Sequence, residues 1–470
     1  MGLLENLYDS SPIFLQNLMV SASGYQRNRT RYGKVYNDHR AFLKEFDKYT
    51  LSEKLQFQEK EFIDFIKYAN QNSTFYKQLY RDIDINSINQ ISDIKKLPIV
   101  DKEMIRANIT EVNTVEPKGA VEGHTGGTTG KSLVVLMTSN DMMKRMAMLD
   151  HFKSRVGFEH LKMKRATFNG KHIVPPSQKK KVFWRYNAAC KQMIYSSFHL
   201  TEDNMKHYVN SLNKFKPQAI DGFFMSMCDV AGYIERHNIK LTFNPVAIFP
   251  TSETLTDSGR ELLERVFGCK VYDQYASSEG APFVTECEKQ VLHVELASGV
   301  FEHFEDNSDE VLVTSFTTHG TPLIRYRIGD SMTFDSDNTR CLCGLDSPIV
   351  KAIQGRKLDF LYTSDGAKIN GGNVANLFKN MPNALIRAQT IQDEMDKITI
   401  LLEVDKKKYK PEYDVMLEDE FLHKFGRETK IKIKHVEEIS REKSGKFRMI
   451  KNNIISEKLK GTSLVEGSEV

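Results

Sequence analysis

Apolar positions recur at helical spacing among charges over about residues 1 to 90. Ser52–Tyr80 is the clearest case: Leu55, Phe57, Phe62, Phe65, Ile66, Phe75 and Leu79 predict helix. Pro98 closes this region. Leu133-Val134-Val135-Leu136-Met137 is an unbroken apolar run and predicts a short buried strand. The cap residues Thr138, Ser139, Asn140 and Asp141 follow, and then a Met-rich helix through Met142–Phe152, whose methionines read as core packing. From about 160 to 285 strands and helices alternate. Strands are expected at Ala219–Phe223, Val246–Pro250 and Lys270–Tyr272, and helices at Val230–Arg236 and Asp257–Phe267. That alternation predicts an α/β fold with mostly parallel sheets and ligand sites at strand ends. From about 310 the pattern turns to β, beginning with Glu310–Phe316. Beyond a boundary at Gly355–Asp359, strands at Lys397–Val404 and Thr429–Val436 and a helix at Leu417–Phe425 predict a small α+β domain. The expected divisions are therefore 1–95, mainly helical; 96–355, the β-rich-ended core of the large domain; and 356–470, the small C-terminal domain.

Composition narrows the class. The 470 residues are 40% hydrophobic and 27% charged, an ordinary globular balance. Sixty-six basic against 62 acidic residues leave +4, which argues against a dedicated nucleic-acid or membrane-surface protein. Lys179–Lys181 reads as a solvated loop, or as a contact for a phosphate of an acceptor. No stretch approaches the roughly 18 apolar residues of a membrane helix. The start, Met1–Asn6, has neither a basic region before an apolar run nor a myristoylation pattern. Six cysteines without an export signal predict a cytoplasmic protein with reduced thiols.

The chemistry begins at His124-Thr125-Gly126-Gly127-Thr128-Thr129-Gly130-Lys131. Glycines let backbone N–H groups converge on an anion, threonines add hydroxyl donors, and lysine adds a mobile charge. This reads as a phosphate loop. It is not a Walker loop, because Thr125 stands where that pattern needs glycine. The competing reading is a plain Gly/Thr hairpin turn.

Further segments follow in order: Thr251-Ser252-Glu253; Asp273-Gln274-Tyr275-Ala276-Ser277-Ser278-Glu279-Gly280; Arg325-Tyr326-Arg327-Ile328-Gly329-Asp330; Gly355-Arg356-Lys357-Leu358-Asp359; and Ser444-Gly445-Lys446. With the loop they resemble the adenylate-forming ligases, such as acyl-CoA synthetases and non-ribosomal peptide adenylation domains. The closer similarity is to the phenylacetate–CoA ligase family, including its branch in capsular-polysaccharide biosynthesis. The resemblance spans about 95 to 450 and rests on the motifs in register rather than on any one.

The resemblance implies ATP, Mg²⁺, a small carboxylic acid and, as acceptor, coenzyme A or else a carrier protein, an amine or a sugar. It implies that Thr125–Lys131 hold the β- and γ-phosphates and that Glu279 carries Mg²⁺, a hard cation suited to oxygen. Tyr275, beside Ala276, Ser277 and Ser278, would pack on adenine; Ser252 and Glu253 would flank the purine. Asp330 would accept from the ribose hydroxyls, Arg356 would reach the ATP site or a domain interface, and Lys446 would bridge the carboxylate and the α-phosphate. It also implies a mobile C-terminal domain. Leu358 departs from the polar hinge residue of the family, and Asp359 follows it.

Cys287, His293, Cys341 and Cys343 form Cys-x5-His and Cys-x-Cys pairs, a donor set suited to a closed structural zinc site. Their spacing resembles a zinc site of some phenylacetate–CoA ligase relatives; buried free cysteines are the alternative. The acid pocket is expected between about 168 and 253, with Phe198, Phe223, Phe224 and Met225 as wall or as sheet core. Asn169, Gly170 and His172 either meet the reacting carboxylate or cap a loop. Two rival functions are a P-loop hydrolase and a catalytically silent nucleotide-binding scaffold.

Overall fold

A computed structural model describes residues 3–124, 133–175, 178–305, 308–335, 339–356, 360–363, 368–378, 384–442 and 444–454. They fall into two compact units. One comprises Met1–Val20, Met163–Val271 and Gln354–Val470; the other comprises Ser21–Lys162 and Tyr272–Ile353.

The first unit is built on a six-stranded sheet. Its spatial order is Trp184–Asn187, Gln192–Ser196, Arg165–Asn169, Ala219–Phe223, Ala247–Thr251 and Lys270–Val271. All neighbours are parallel except the first pair. Helices Glu202–Phe215, Phe224–Arg236 and Asp257–Phe267 connect the strands. The last has local start and stop signals. The Thr256 hydroxyl accepts from the Gly259 N–H, and Gly268 closes the helix at φ +67°. Residues 354–454 of this unit add a four-stranded sheet and the helix Glu412–Phe425, closed around Ile398, Ile400, Leu402, Leu417, Phe421 and Phe425.

The second unit pairs helices with a seven-stranded sheet, whose observed strand pairings are antiparallel. The helix Leu51–Asn72 opens on a reciprocal cap between Thr50 and Glu53 and buries Phe62, Phe65, Ile66 and Ala69. Ser73 ends it and caps the helix Thr74–Leu79. The β region begins at Gln274–Tyr275, well before residue 310. The strands Gln274–Tyr275, Val284–Glu286 and Leu292–Val294 are only two or three residues long, too short for a periodic signal. Among the described residues no helix is long and apolar enough to cross a membrane.

Candidate active site

In the second unit, Tyr275 lies on Gln274–Tyr275 and Asp330 on Tyr326–Phe334. The Tyr275 hydroxyl donates to Asp330 Oδ2 at 2.7 Å, and both residues are buried. The residues matched to adenine and to ribose are thus brought together. The segment after Tyr275 is a tight turn. The Ser277 carbonyl accepts the Gly280 N–H at 3.2 Å, and Ser277 Oγ accepts the Ala281 N–H at 3.0 Å. Glu279 on this turn is buried. Gly280 has φ +103°, and a Cβ there would lie 2.6 Å from Thr318 Cγ2, so the position requires glycine.

Sequence reasoning missed Arg145, which holds this turn. It reaches from the helix Ser139–Arg155 and donates to the carbonyls of Gly280 (2.8 Å) and Ala281 (3.0 Å) and to Thr317 Oγ1 (2.9 Å). The guanidinium also lies 4.4 Å from the centre of the Phe283 ring. Burial lowers its pKa to about 10, so it remains a cation at neutral pH. The signal was a charge on the same helical face as the buried Met148 and Phe152.

Residues 125–132 lie outside the described residues, but their anchors are clear. Val121–His124 and Val134–Met137 form an antiparallel hairpin, with His124 opposite Val134. The connection therefore runs from strand to strand, whereas a Walker loop runs from strand to helix. A Cβ on Gly123 would sit 2.7 Å from the Ser278 carbonyl oxygen, so the hairpin packs directly on the Ala276–Gly280 turn.

In the first unit, three parallel strands deliver their carboxyl ends to one place. Asn169–Gly170, Phe223 and Ser252–Glu253 lie at those ends. Asn169 caps its own loop, its Oδ1 accepting the Lys171 N–H at 3.1 Å. His172 stacks on Phe198, with ring centres 4.3 Å apart. Phe224 belongs to the core, while Phe223 borders Gly170. The Met225 side chain packs against that core as well. Lys181 Nζ donates to Asn204 Oδ1 at 3.2 Å. Ser252 is exposed, in a left-handed conformation at φ +69°.

Glu253 is half-buried, and both of its oxygens are engaged. Oε2 accepts the Met225 N–H at 2.8 Å, and Oε1 accepts the Phe447 N–H at 3.0 Å. It therefore touches the residue next to Lys446. Dense packing around the carboxylate pushes its pKa up to about 7, against the opposing pull of the two N–H donors, Arg441 and Lys446. Arg356 ends the strand Ile349–Arg356; Lys357, Leu358 and Asp359 lie outside the described residues.

The second unit also gathers Cys287, His293, Cys341 and Cys343, whose candidate ligand atoms all lie within 4.8 Å of one another. Cys287 Sγ is 3.7 Å from Cys341 Sγ, and Cys343 Sγ is 3.5 Å from His293 Nε2. A tetrahedral ion with Zn–S bonds of about 2.3 Å would set its sulfurs about 3.8 Å apart. His293 Nδ1 lies 3.3 Å from the Ser347 carbonyl, an outer contact that points Nε2 inward. The N–H groups of Lys289 and Leu345 donate to Cys287 Sγ and Cys343 Sγ.

This fold is that of the adenylate-forming ligases. A solved 2-hydroxyisobutyryl-CoA ligase in the postadenylation state superimposes with a TM-score of 0.69 at 14% identity, covering 88% of this chain and 93% of that one. The same ligase with 2-HIB-AMP and CoA, in the thioesterification state, gives 0.53 at 15% identity, covering 88% and 94%. The CapK C-terminal domain family matches residues 361–453. Protein CapK of Staphylococcus aureus is 36% identical over 455 residues, 96% of this chain and all of that protein. The chain belongs to the CapK family.

Two outcomes follow from these contacts. Arg145→Met leaves the Gly280–Ala281 turn without its cation and lowers unfolding free energy by about 2–4 kcal/mol; a chemical-denaturation midpoint unchanged from wild type would contradict this. For Glu253, the folded value of about 7 lies above the ordinary 4.5. Between these values the folded chain keeps a proton that the unfolded chain has released. The contribution to stability is thus full below about 4.5 and is lost as pH rises through about 7. Melting temperatures of wild type should fall relative to Glu253→Gln across that window, and parallel curves would refute the assignment.

Proposed function

We propose that this chain is an ATP-dependent ligase of the phenylacetate–CoA ligase type, acting in polysaccharide biosynthesis. A carboxylate oxygen attacks the α-phosphorus of ATP, and the bond to the bridging oxygen breaks. Pyrophosphate leaves, and the acyl-adenylate remains. An acceptor, in this reading the thiol of coenzyme A, then attacks the acyl carbon and releases AMP. A carrier protein, an amine or a sugar hydroxyl is the competing acceptor.

The observation that carries the reading is the placement of Lys446. Its turn packs on Gly170 at the carboxyl end of a parallel strand, beside Glu253 and Phe198. A lysine carried on a turn fixed there by backbone contacts is suited to charge that develops between a carboxylate and a phosphate. Tyr275 and Asp330 would hold adenosine, Asp330 accepting from ribose hydroxyls. Glu279 would supply an oxygen to Mg²⁺, which neutralises charge on the polyphosphate. Thr125, Gly126, Gly127, Thr128, Thr129, Gly130 and Lys131 would cradle the departing pyrophosphate, with Ser252, Ala276, Ser277, Ser278 and Arg356 around the nucleotide. Cys287, His293, Cys341 and Cys343 would hold a structural zinc, since four protein ligands leave no open position for chemistry.

A pyrophosphate-exchange screen over a panel of carboxylic acids tests the function. Acid-dependent exchange of label into ATP supports it; release of γ-phosphate, or no exchange with any acid, overturns it. Lys446→Ala should lower the adenylation rate 10²–10³-fold, about 3–4 kcal/mol of barrier, while transfer from preformed acyl-adenylate persists. Protein purified without added zinc should carry close to one equivalent; less than about 0.3 equivalents would exclude the metal site.

A further inference from the structure

The Lys446 turn is held by a charge cluster that no motif contains. Asp229 lies buried on the helix Phe224–Arg236. Two arginines share its carboxylate. Arg387 donates through Nε, 3.1 Å from each oxygen, and through Nη2 at 2.9 Å; Arg441 Nη2 makes a short contact to Oδ2. Arg387 is held further by Glu403 at 3.2 Å and by the Leu200 carbonyl at 2.8 Å. Asp229, Glu403, Arg387 and Arg441 together carry two charges of each sign.

Arg441 connects this cluster to the turn. Its Nη1 donates to Ser226 Oγ at 3.1 Å and to the Gly445 carbonyl at 3.3 Å. The turn is closed by two backbone bonds, Gly445 N–H to the Glu442 carbonyl (2.8 Å) and Glu442 N–H to the Lys446 carbonyl (2.9 Å). On its other side it meets backbone. A Cβ on Gly170 would lie 1.7 Å from the Ser444 carbonyl oxygen. A Cβ on Gly445, itself at φ +79°, would lie 2.8 Å from Gly170 Cα.

We propose that Asp229 is a positioning residue for Lys446: by fixing Arg441 it holds the Gly445 carbonyl, and so presses the Ser444–Lys446 turn onto Gly170. The inference rests on the adenylating role of Lys446 proposed above. Neutralising Asp229 removes the carboxylate that the two guanidinium groups share, leaving Arg387 with Glu403 and Arg441 without that ion pair. Arg441 then swings away, and the turn loses its donor. A displacement of about 1 Å at a reacting group can cost 100-fold in rate.

Asp229→Asn should lower kcat of acid-dependent pyrophosphate exchange about 10- to 100-fold, with KM for ATP within about twofold. Acyl transfer from preformed acyl-adenylate should change less than about twofold. Equal losses in both half-reactions, or an unchanged kcat, overturn the proposal. Gly170→Ala is the second variant, outside the charge cluster, and should give the same split by collision with Ser444. Asp229→Asn combined with Arg387→Gln restores charge balance without restoring the Arg441 anchor. Its melting temperature should recover while adenylation stays low; recovery of both would make Asp229 merely structural. Hydrogen exchange at the Phe447 amide reads the docking independently of any activity. Protection should be present in wild type and lost in Asp229→Asn and Gly170→Ala, and unchanged protection overturns the proposal. If wild type adenylates no acid, the ligase reading fails, and the exchange result alone decides the docking.

Discussion

Gly170 and Ser444 meet backbone to backbone, and the position of Lys446 depends on that contact. Side-chain packing can be repaired by a rotamer change or an isosteric swap. A carbonyl oxygen resting where a Cβ would stand has no such slack. The contact is set in turn by strand register. Phe168 aligns with Gly222, Gly222 with Pro250 and Phe223 with Thr251, so the strands end together, with Gly170 and Glu253 just beyond their ends. The parallel sheet is therefore the ruler against which the lysine is measured.

Both units use the same device to hold a turn. A guanidinium donates to carbonyls of a glycine-containing turn: Arg145, from a distant helix, to Gly280 and Ala281, and Arg441, at the start of the turn, to Gly445. Arginine suits this task because its planar fork of donors can serve several acceptors and it stays charged when buried. The two differ in their surroundings. Arg145 has neutral acceptors and an aromatic face, whereas Arg441 is balanced by Asp229.

The sequence was most legible where signals are local. Asp257–Phe267 and Lys397–Val404 are found with the bounds their patterns predict, since caps and alternation lie within the segment. The Cys/His set was legible from residue type, and it converges in space. The short strands between Gln274 and Val294 carried too few residues for a period. The supports of the turns were hidden for a different reason. Arg145 lies 135 positions from Gly280, and Asp229 lies 158 from Arg387 and 212 from Arg441. No spacing rule joins residues so far apart. Motifs mark what must face a ligand, and the side chains that hold those motifs in place follow only from the tertiary structure.

The hairpin that brackets residues 125–132 is locked in its own register. Its four paired positions fix where the connection begins and ends. A slip of one residue would bring Glu122 or His124 to the place where Gly123 meets the Ser278 carbonyl, and neither side chain fits there. The strands therefore resist slippage, and backbone pairing fixes the points at which the chain leaves the first strand and enters the second.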